Sequence, residues 1–330
     1  MRYWWVGWLV IMLSLTAKAH YAEDMDALVL MHELAEEYDY NEAYLQSLLM
    51  AVSKDDEVLR KISIPAEKTK EWHEYRRIFL DKERIEKGVA FWQANAETLA
   101  RAEKEFGVDA GIIVGILGVE TRYGKVTGTT PVFQALATLC FDYPERAVFF
   151  CDQLDYMLRL SRAQDFNPLS IKGSYAGAMG MAQFMPSSYV NDAIDYDGDG
   201  KIDLFHSTAD AIGSIANYLA KRGWQPNGQY RYRLPVKPAI ETFGQDHFAY
   251  IDKSDLQADD NLKNDENVMK WLADLPEENV GSLILQGDSG EQWWITYHNF
   301  GVITRYNTSP LYAMAVIDLA NEISKKTNSE

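Results

Sequence analysis

The chain is poor in positive charge, in cysteine and in long apolar runs, and each shortage narrows what it can be. Lys and Arg number 32 against 49 Asp and Glu, a formal charge of −17. Nucleic acid is excluded as a partner on this ground, because it demands a basic face. No internal repeat or low-complexity segment is found, so the chain is not a repeat array. One apolar run stands out, Tyr3 to Ala17, and it is shorter than the roughly 20 residues a membrane span requires. With Arg2 ahead of it and Ala17-Lys18-Ala19 behind, it has the order of a cleavable secretory signal cut after Ala19. No cysteine lies beside that cut, so no lipid anchor is expected. Cleavage would remove Arg2 and Lys18 and no acid, taking the charge from −17 to −19.

Export permits a disulfide, and two cysteines are available, Cys140 and Cys151. Pro144 reads as the first residue of a helix carrying Cys151 two turns in. That sets Cys151 roughly 10 Å along the axis from the turn beside Cys140, at ~1.5 Å per residue. A bridge needs Cα atoms within about 7 Å. Two buried free thiols are therefore expected.

What is present suits a large core: 47% of the residues are apolar, with 9 Trp and 19 Tyr. Helical spacing runs from Asp24 to about Arg101, interrupted at Pro65. "FGVDAGIIVGILGVETRYG" predicts a helix capped by Asp109 with Gly124 just past its end. Helices follow over about Val132–Leu139 and Pro144–Ser161, then "TADAIGSIANYLAKRGW", stopped by Gly223. After Trp224 the pattern changes. "QYRYRLPV" alternates, "GSLILQ-GDSG-EQWWITY" reads as a hairpin, and the acidic stretch between them predicts a short helix in loops. From Ser309 the chain is helical again. The expected fold class is mainly α (α+β). Its expected parts are a helical segment 24–101, a core 102–225, a small β-containing insertion 226–292, and a return to the core with a final helix, 293–330.

Two features suggest chemistry. In "DYDGDGKIDLFHSTAD", Asp195, Asp197 and Asp199 stand at positions one, three and five of a calcium loop, with Gly200 at six, the Lys201 carbonyl at seven and Asp203 at nine. Position twelve, where a bidentate Glu belongs, is His206. The loop starts well and closes badly. The other feature is Glu120, which shares a helix face with Ile113, Ile116 and Leu117. A carboxylate facing inward in the last, electronegative turn is costly when charged, so its pKa is expected to rise. An acid of that kind can donate a proton near neutral pH. The plainer alternative pairs Glu120 with Arg122 or with water. Two further stretches carry polar handles: "GSYAGAMGMAQFMPSSY", with Ser174 and Gln183 among small residues, and "NFGVITRYN", which ends a strand region with Arg305, Tyr306 and Asn307.

"GVETRYG", "GSYAGAMGMAQFMPSS", "DYDGDGKIDL" and "NFGVITRYN", in this order, resemble the family of membrane-bound lytic murein transglycosylase B and its soluble relatives, from about Trp72 to Ile323. The resemblance implies a lysozyme-like core with an α domain built from both chain ends and a small β domain. It implies Glu120 as the sole catalytic acid/base. That residue would protonate the glycosidic oxygen between N-acetylmuramic acid and N-acetylglucosamine, then deprotonate the C6 hydroxyl that closes a 1,6-anhydro ring. By the same resemblance Ser174 and Asn307 position the N-acetyl group, and Gln183, Tyr218, Tyr306 and Tyr75 line the glycan groove. Relatives tend to carry two basic residues after "YP"; here those two positions hold the acid Glu145 and the base Arg146, leaving Arg146 to meet a lactyl or peptide carboxylate. The family's calcium loop closes with an Asp in the next helix, which gives Asp195, Asp197, Asp199, Lys201 and Asp210 as the set for a structural Ca2+. Alternatively, Ser207 and Asp210, three apart, start that helix as a capping box. Such a loop is a staple and not a sensor, and no cofactor is expected for the chemistry. A periplasmic monomer acting on peptidoglycan glycan strands is expected, with cell-wall synthesis or division enzymes as candidate partners. Hydrolytic muramidase activity and a non-catalytic peptidoglycan-binding role are the alternatives.

Overall fold

The computed structural model describes residues 20–64, 69–244, 250–327 and 329. The expected signal segment, 1–19, and the Pro65 interruption lie outside the described residues. Helices Met25–Tyr38, Glu42–Met50, Asp56–Ile62 and Lys82–Ala94 each start where an Asp or Asn side chain takes an otherwise unpaired N–H: Asp24, Asn41, Asp55 and Asp81. Helices Trp72–Phe79 and Ala96–Phe106 complete the N-terminal part.

At the centre lies helix Ala110–Thr121, buried continuously from Ala110 to Gly118. A helix apolar on every side has no solvent face to present, so other helices surround it. The C-terminal helix Pro310–Thr327 packs along it at a glycine. A Cβ at Gly115 would stand 2.8 Å from the Val316 carbonyl oxygen, so a larger residue there would hold the two backbones apart. Helices Lys82–Ala94, Trp72–Phe79, Ala96–Phe106 and Thr208–Lys221 pack against this pair, while Val132–Asp142 packs on Ala147–Ala163, which packs in turn on Pro186–Asp192. A pair of two-residue strands, β1 (Thr130–Pro131) and β2 (Lys172–Gly173), ties the core's loops.

A second apolar core lies between Leu234 and Tyr297, centred on Leu256, Leu262, Leu272 and Ile295. Its four-stranded antiparallel sheet has the order β3 (Arg231–Leu234), β6 (Gly290–Thr296), β5 (Asn279–Gly287), β4 (Tyr250–Asp252). The hairpin expected from "GSLILQGDSGEQWWITY" is β5–β6. The molecule is thus mainly helical with small antiparallel sheets, as expected.

Several expectations need correction. Cys140 and Cys151 are bridged, with Cα atoms 4.7 Å apart. The expected axial separation assumed a chain running onward. Instead a 3-10 turn, Pro144–Arg146, reverses it, and helix Ala147–Ala163 returns past the end of helix Val132–Asp142. The central helix does not run up to Gly124. Arg122 (φ 50°) and Tyr123 (φ 62°) are already left-handed and end it immediately after Thr121. The acidic stretch holds two short helices, Lys253–Ala258 and Glu266–Asp274, the second capped by Asp265. "NFGVI" is helical, not strand, because β6 ends at Thr296. There the buried Asn299 ties the new turn to the Gln225 backbone, accepting its N–H at 2.9 Å and donating to its carbonyl at 2.7 Å.

Candidate active site

Glu120 sits half-buried in the last turn of the central helix, which ends one residue later. Three bonds hold that terminus. The Thr121 hydroxyl donates to the Met181 carbonyl at 2.8 Å and accepts the Gly124 N–H at 2.9 Å, while the Tyr123 hydroxyl donates to the Arg84 carbonyl at 2.9 Å. The backbone carrying Glu120 is therefore tied both to the "GAMGMAQF" loop and to helix Lys82–Ala94.

The C-terminal helix supplies the partner: the Tyr312 hydroxyl donates to Glu120 Oε1 at 2.6 Å. Burial, then the nearby Glu120 charge, holds the Tyr312 phenol well above its ordinary value, so it stays a donor throughout the physiological range. Tyr306 is raised for the same two reasons. Its ring stacks with Tyr312 at 6.4 Å and meets the edge of Tyr218 at 4.9 Å. Phe184 closes the cluster against both Tyr218 and Tyr306. Phenol tips find backbone partners: Tyr306 donates to the Ala182 carbonyl at 2.6 Å, and Tyr218 donates to that of Arg305. Arg222 lies over the Tyr218 ring and pairs with the buried Asp192 at 2.9 Å.

Gln183 has a left-handed backbone (φ 49°), a conformation that costs a non-glycine residue roughly 1–2 kcal/mol. Its amide donates to the Thr127 carbonyl at 3.0 Å and to the Gly180 carbonyl at 2.9 Å, which fixes the strained turn beside Ala182. Strain of this sort is found where surrounding structure over-determines a functional loop.

Five of the expected site residues thus converge. Glu120, Tyr306 and Tyr218 share the tyrosine cluster, Gln183 follows the carbonyl that receives Tyr306, and Tyr75 is within the electrostatic reach of Tyr312. Tyr75 and Tyr218 are only 2% and 7% exposed, so their rings support the site from behind. Ser174 caps its own turn, accepting N–H bonds from Ala176 and Ala178. Asn307 accepts the Ser309 N–H at 3.0 Å in the turn ahead of the C-terminal helix, where the Ser309 hydroxyl accepts the Tyr312 N–H at 3.4 Å. Arg146 makes its described contacts with the rings of Phe149 and Phe150. Tyr312 is the residue that sequence reasoning missed. Its signal was a single polar-tipped ring in the apolar run "PLYAMAVIDL".

In the acidic loop, carboxylate oxygens of Asp195, Asp197 and Asp210 lie within 4.8 Å of one another. Asp210 is buried and accepts N–H bonds from Tyr196, Asp197 and Asp203. Ser207 caps the helix by accepting the Asp210 N–H, while the Asp210 side chain turns away into the loop. Only half of a capping box forms. Asp199 instead accepts the Lys201 N–H at 2.8 Å and is not part of the three-carboxylate group. His206, at the position that should close an EF-hand, pairs with Asp203 at 2.9 Å. Three convergent carboxylates, one of them buried, fit a hard, oxygen-preferring cation.

The arrangement can be set beside known proteins. Residues 24–321 match the model of the transglycosylase SLT domain family. The chain is 35% identical to membrane-bound lytic murein transglycosylase B of Escherichia coli, over 92% of this chain and 84% of that protein. The E. coli lytic transglycosylase Slt35, solved in complex with bulgecin A and with calcium, superposes with a TM-score of 0.83 at 34% identity, covering 94% of this chain and 96% of that one. Lytic transglycosylase SltB1 of Pseudomonas aeruginosa does so with a TM-score of 0.81 at 40% identity, covering 93% and 99%. The helical body is the lysozyme-like fold of these enzymes, and the chain belongs to the transglycosylase SLT family, the lytic murein transglycosylases that act on peptidoglycan.

Proposed function

We propose that the chain cleaves the β-1,4 bond between N-acetylmuramic acid and N-acetylglucosamine and leaves 1,6-anhydro ends, with Glu120 as its single acid/base. The observation that carries this reading is Glu120 at a helix terminus with one carboxyl oxygen held by a buried phenol. Tyr312 fixes the carboxyl plane, so one group can face both the glycosidic oxygen and, after departure of the leaving group, the C6 hydroxyl. A proton passes from Glu120 to the leaving oxygen. Glu120 then takes one from the C6 hydroxyl as its oxygen bonds to C1, so no water is consumed. Hydrolysis would instead draw on a second carboxylate about 5–9 Å away. The phenols of Tyr312 and Tyr306 stand against Glu120.

In this reading Gln183, Tyr75, Tyr218 and Tyr306 shape the glycan groove, Ser174 and Asn307 orient the N-acetyl group, and Arg146 meets a substrate carboxylate. Asp195, Asp197, Asp210 and the Lys201 carbonyl would hold a calcium ion that stiffens the loop and takes no part in the chemistry. The enzyme works in the periplasm after removal of residues 1–19. The decisive test is the mass of muropeptides released from sacculi. Anhydro ends are expected; ends heavier by one water would mean muramidase action. Glu120→Gln should fold and release nothing, and substantial lysis by that variant would remove Glu120 from its role.

A further inference from the structure

The bridge between Cys140 and Cys151 does not lie sealed in the core. It faces a cavity of about 500 Å³ where the start of helix Met25–Tyr38 meets the turn before helix Ala147–Ala163. Leu30, Phe141, Pro144, Ala147 and Val148 give the cavity apolar walls, and Val148 is 79% exposed, so the cavity opens to solvent. The two cysteines differ in access. Cys140 is only 3% exposed and belongs to the buried face of helix Val132–Asp142, whereas Cys151 is half-buried. A bridge enclosed on both sides is beyond the reach of a thiol; this one can be reached from the Cys151 side. Charge decides what can enter. Asp26 and Asp152 also line the cavity, both exposed, and among the described residues neither has an ion-pair partner and no basic residue lines the cavity. Two unpaired carboxylates repel an anionic thiol and favour a cationic one, while the apolar walls accept an aliphatic arm.

We propose that Cys151 is a site of thiol–disulfide exchange, open to neutral and cationic thiols and guarded against anionic ones. The incoming thiol gives up its proton and attacks Cys151 Sγ. Its sulfur bonds to that of Cys151 as the Cys140–Cys151 bond breaks, and the departing Cys140 thiolate takes up a proton. A second thiol then attacks the reagent's own sulfur in the mixed disulfide, so that two thiols end as one disulfide and both cysteines end reduced. The fold outlasts this step. Both helices keep their buried faces in the main apolar core, and Asp142 still holds the Tyr21 hydroxyl and the Lys54 ammonium.

The test exposes the folded protein, well below its melting temperature, to cysteamine, 2-mercaptoethanol and 3-mercaptopropionate, and follows the mass of the intact chain. Rates are compared per thiolate, with a small linear disulfide as the reference for each reagent's own reactivity. At low salt cysteamine should react about tenfold faster than 3-mercaptopropionate, with 2-mercaptoethanol between them. Asp26→Asn combined with Asp152→Asn should bring the three within about twofold, and high salt should do the same. Peptide mapping of the quenched intermediate should place the reagent on Cys151. The fully reduced protein should keep its helical circular dichroism and melt about 5 °C lower. In the folded state Cys140→Ser should be labelled by iodoacetamide at Cys151, while Cys151→Ser should leave Cys140 unlabelled. The proposal is overturned if the bridge resists all three thiols until the protein unfolds, if the rates ignore reagent charge, or if the reagent is found on Cys140. Equal labelling of the two serine variants, or loss of the fold on reduction, would overturn it as well.

Discussion

Tyr312 reaches Glu120 across 192 residues of sequence, and the bond between them ties the C-terminal helix directly to the end of the central one. Its hydroxyl is buried and un-ionised, so it orients the carboxyl without competing for its proton in the working range. Tyr312→Phe keeps the ring and removes the donor. We expect kcat to fall by about 10²-fold, the scale for losing one preorganised donor, with KM little changed. Unchanged kcat would show that the carboxyl needs no such support. Glu120 itself stood out in the sequence because an acid on an apolar helix face is anomalous wherever it occurs. Tyr312 did not, because a buried tyrosine is ordinary until its partner is known.

At the scale of elements, the site depends on how closely two helices approach. Gly115→Ala would bring a methyl group to 2.8 Å from the Val316 carbonyl, and backbone cannot swing aside as a side chain does. Overpacking of this kind costs about 1–3 kcal/mol, so the denaturant midpoint should drop, and activity should drop with it as Tyr312 withdraws from Glu120. A variant as stable and as active as wild type would contradict this account. The acidic loop makes a separate prediction. Calcium bound only by the folded state adds about 2.7 kcal/mol at a hundredfold excess over Kd, so millimolar calcium should raise Tm. Asp210→Asn should abolish that increment. Loss of turnover on chelation, with the fold intact at low temperature, would show that the ion does more than staple. Helix positions were legible from their period; the cap read from the sequence, Asp109, precedes the central helix but makes no side-chain bond to its backbone, and Glu103 takes the Ala110 N–H at 3.3 Å instead. Turns were less legible. The left-handed Arg122 and Tyr123 have no glycine to announce them, and the reversal that joins Cys140 to Cys151 depends on how two helices dock.

For the molecule as a whole, buried phenols set an alkaline limit. Burial raises Tyr306 and Tyr312 well above the ordinary value and pushes Tyr189 up to about 12, while in the unfolded chain all three ionise near ~10. Above that pH the unfolded state has released protons that the folded state keeps. Stability is therefore fully present below ~10 and falls as pH rises toward the folded values. Melting temperature should be level from neutrality to about pH 9 and then decline, with part of the tyrosinate absorbance held back until the protein unfolds; the full tyrosinate absorbance reached while the protein is still folded would refute it. The sequence by itself determined the mainly helical class, the inserted hairpin, the acidic loop and the anomalous acid, because each is written in local spacing and in residues out of keeping with their neighbours. Only the tertiary structure decided which phenol holds Glu120 and that the two cysteines meet. Those are contacts between segments far apart along the chain, or across a reversal, and they are set by how the helices pack around the buried central one.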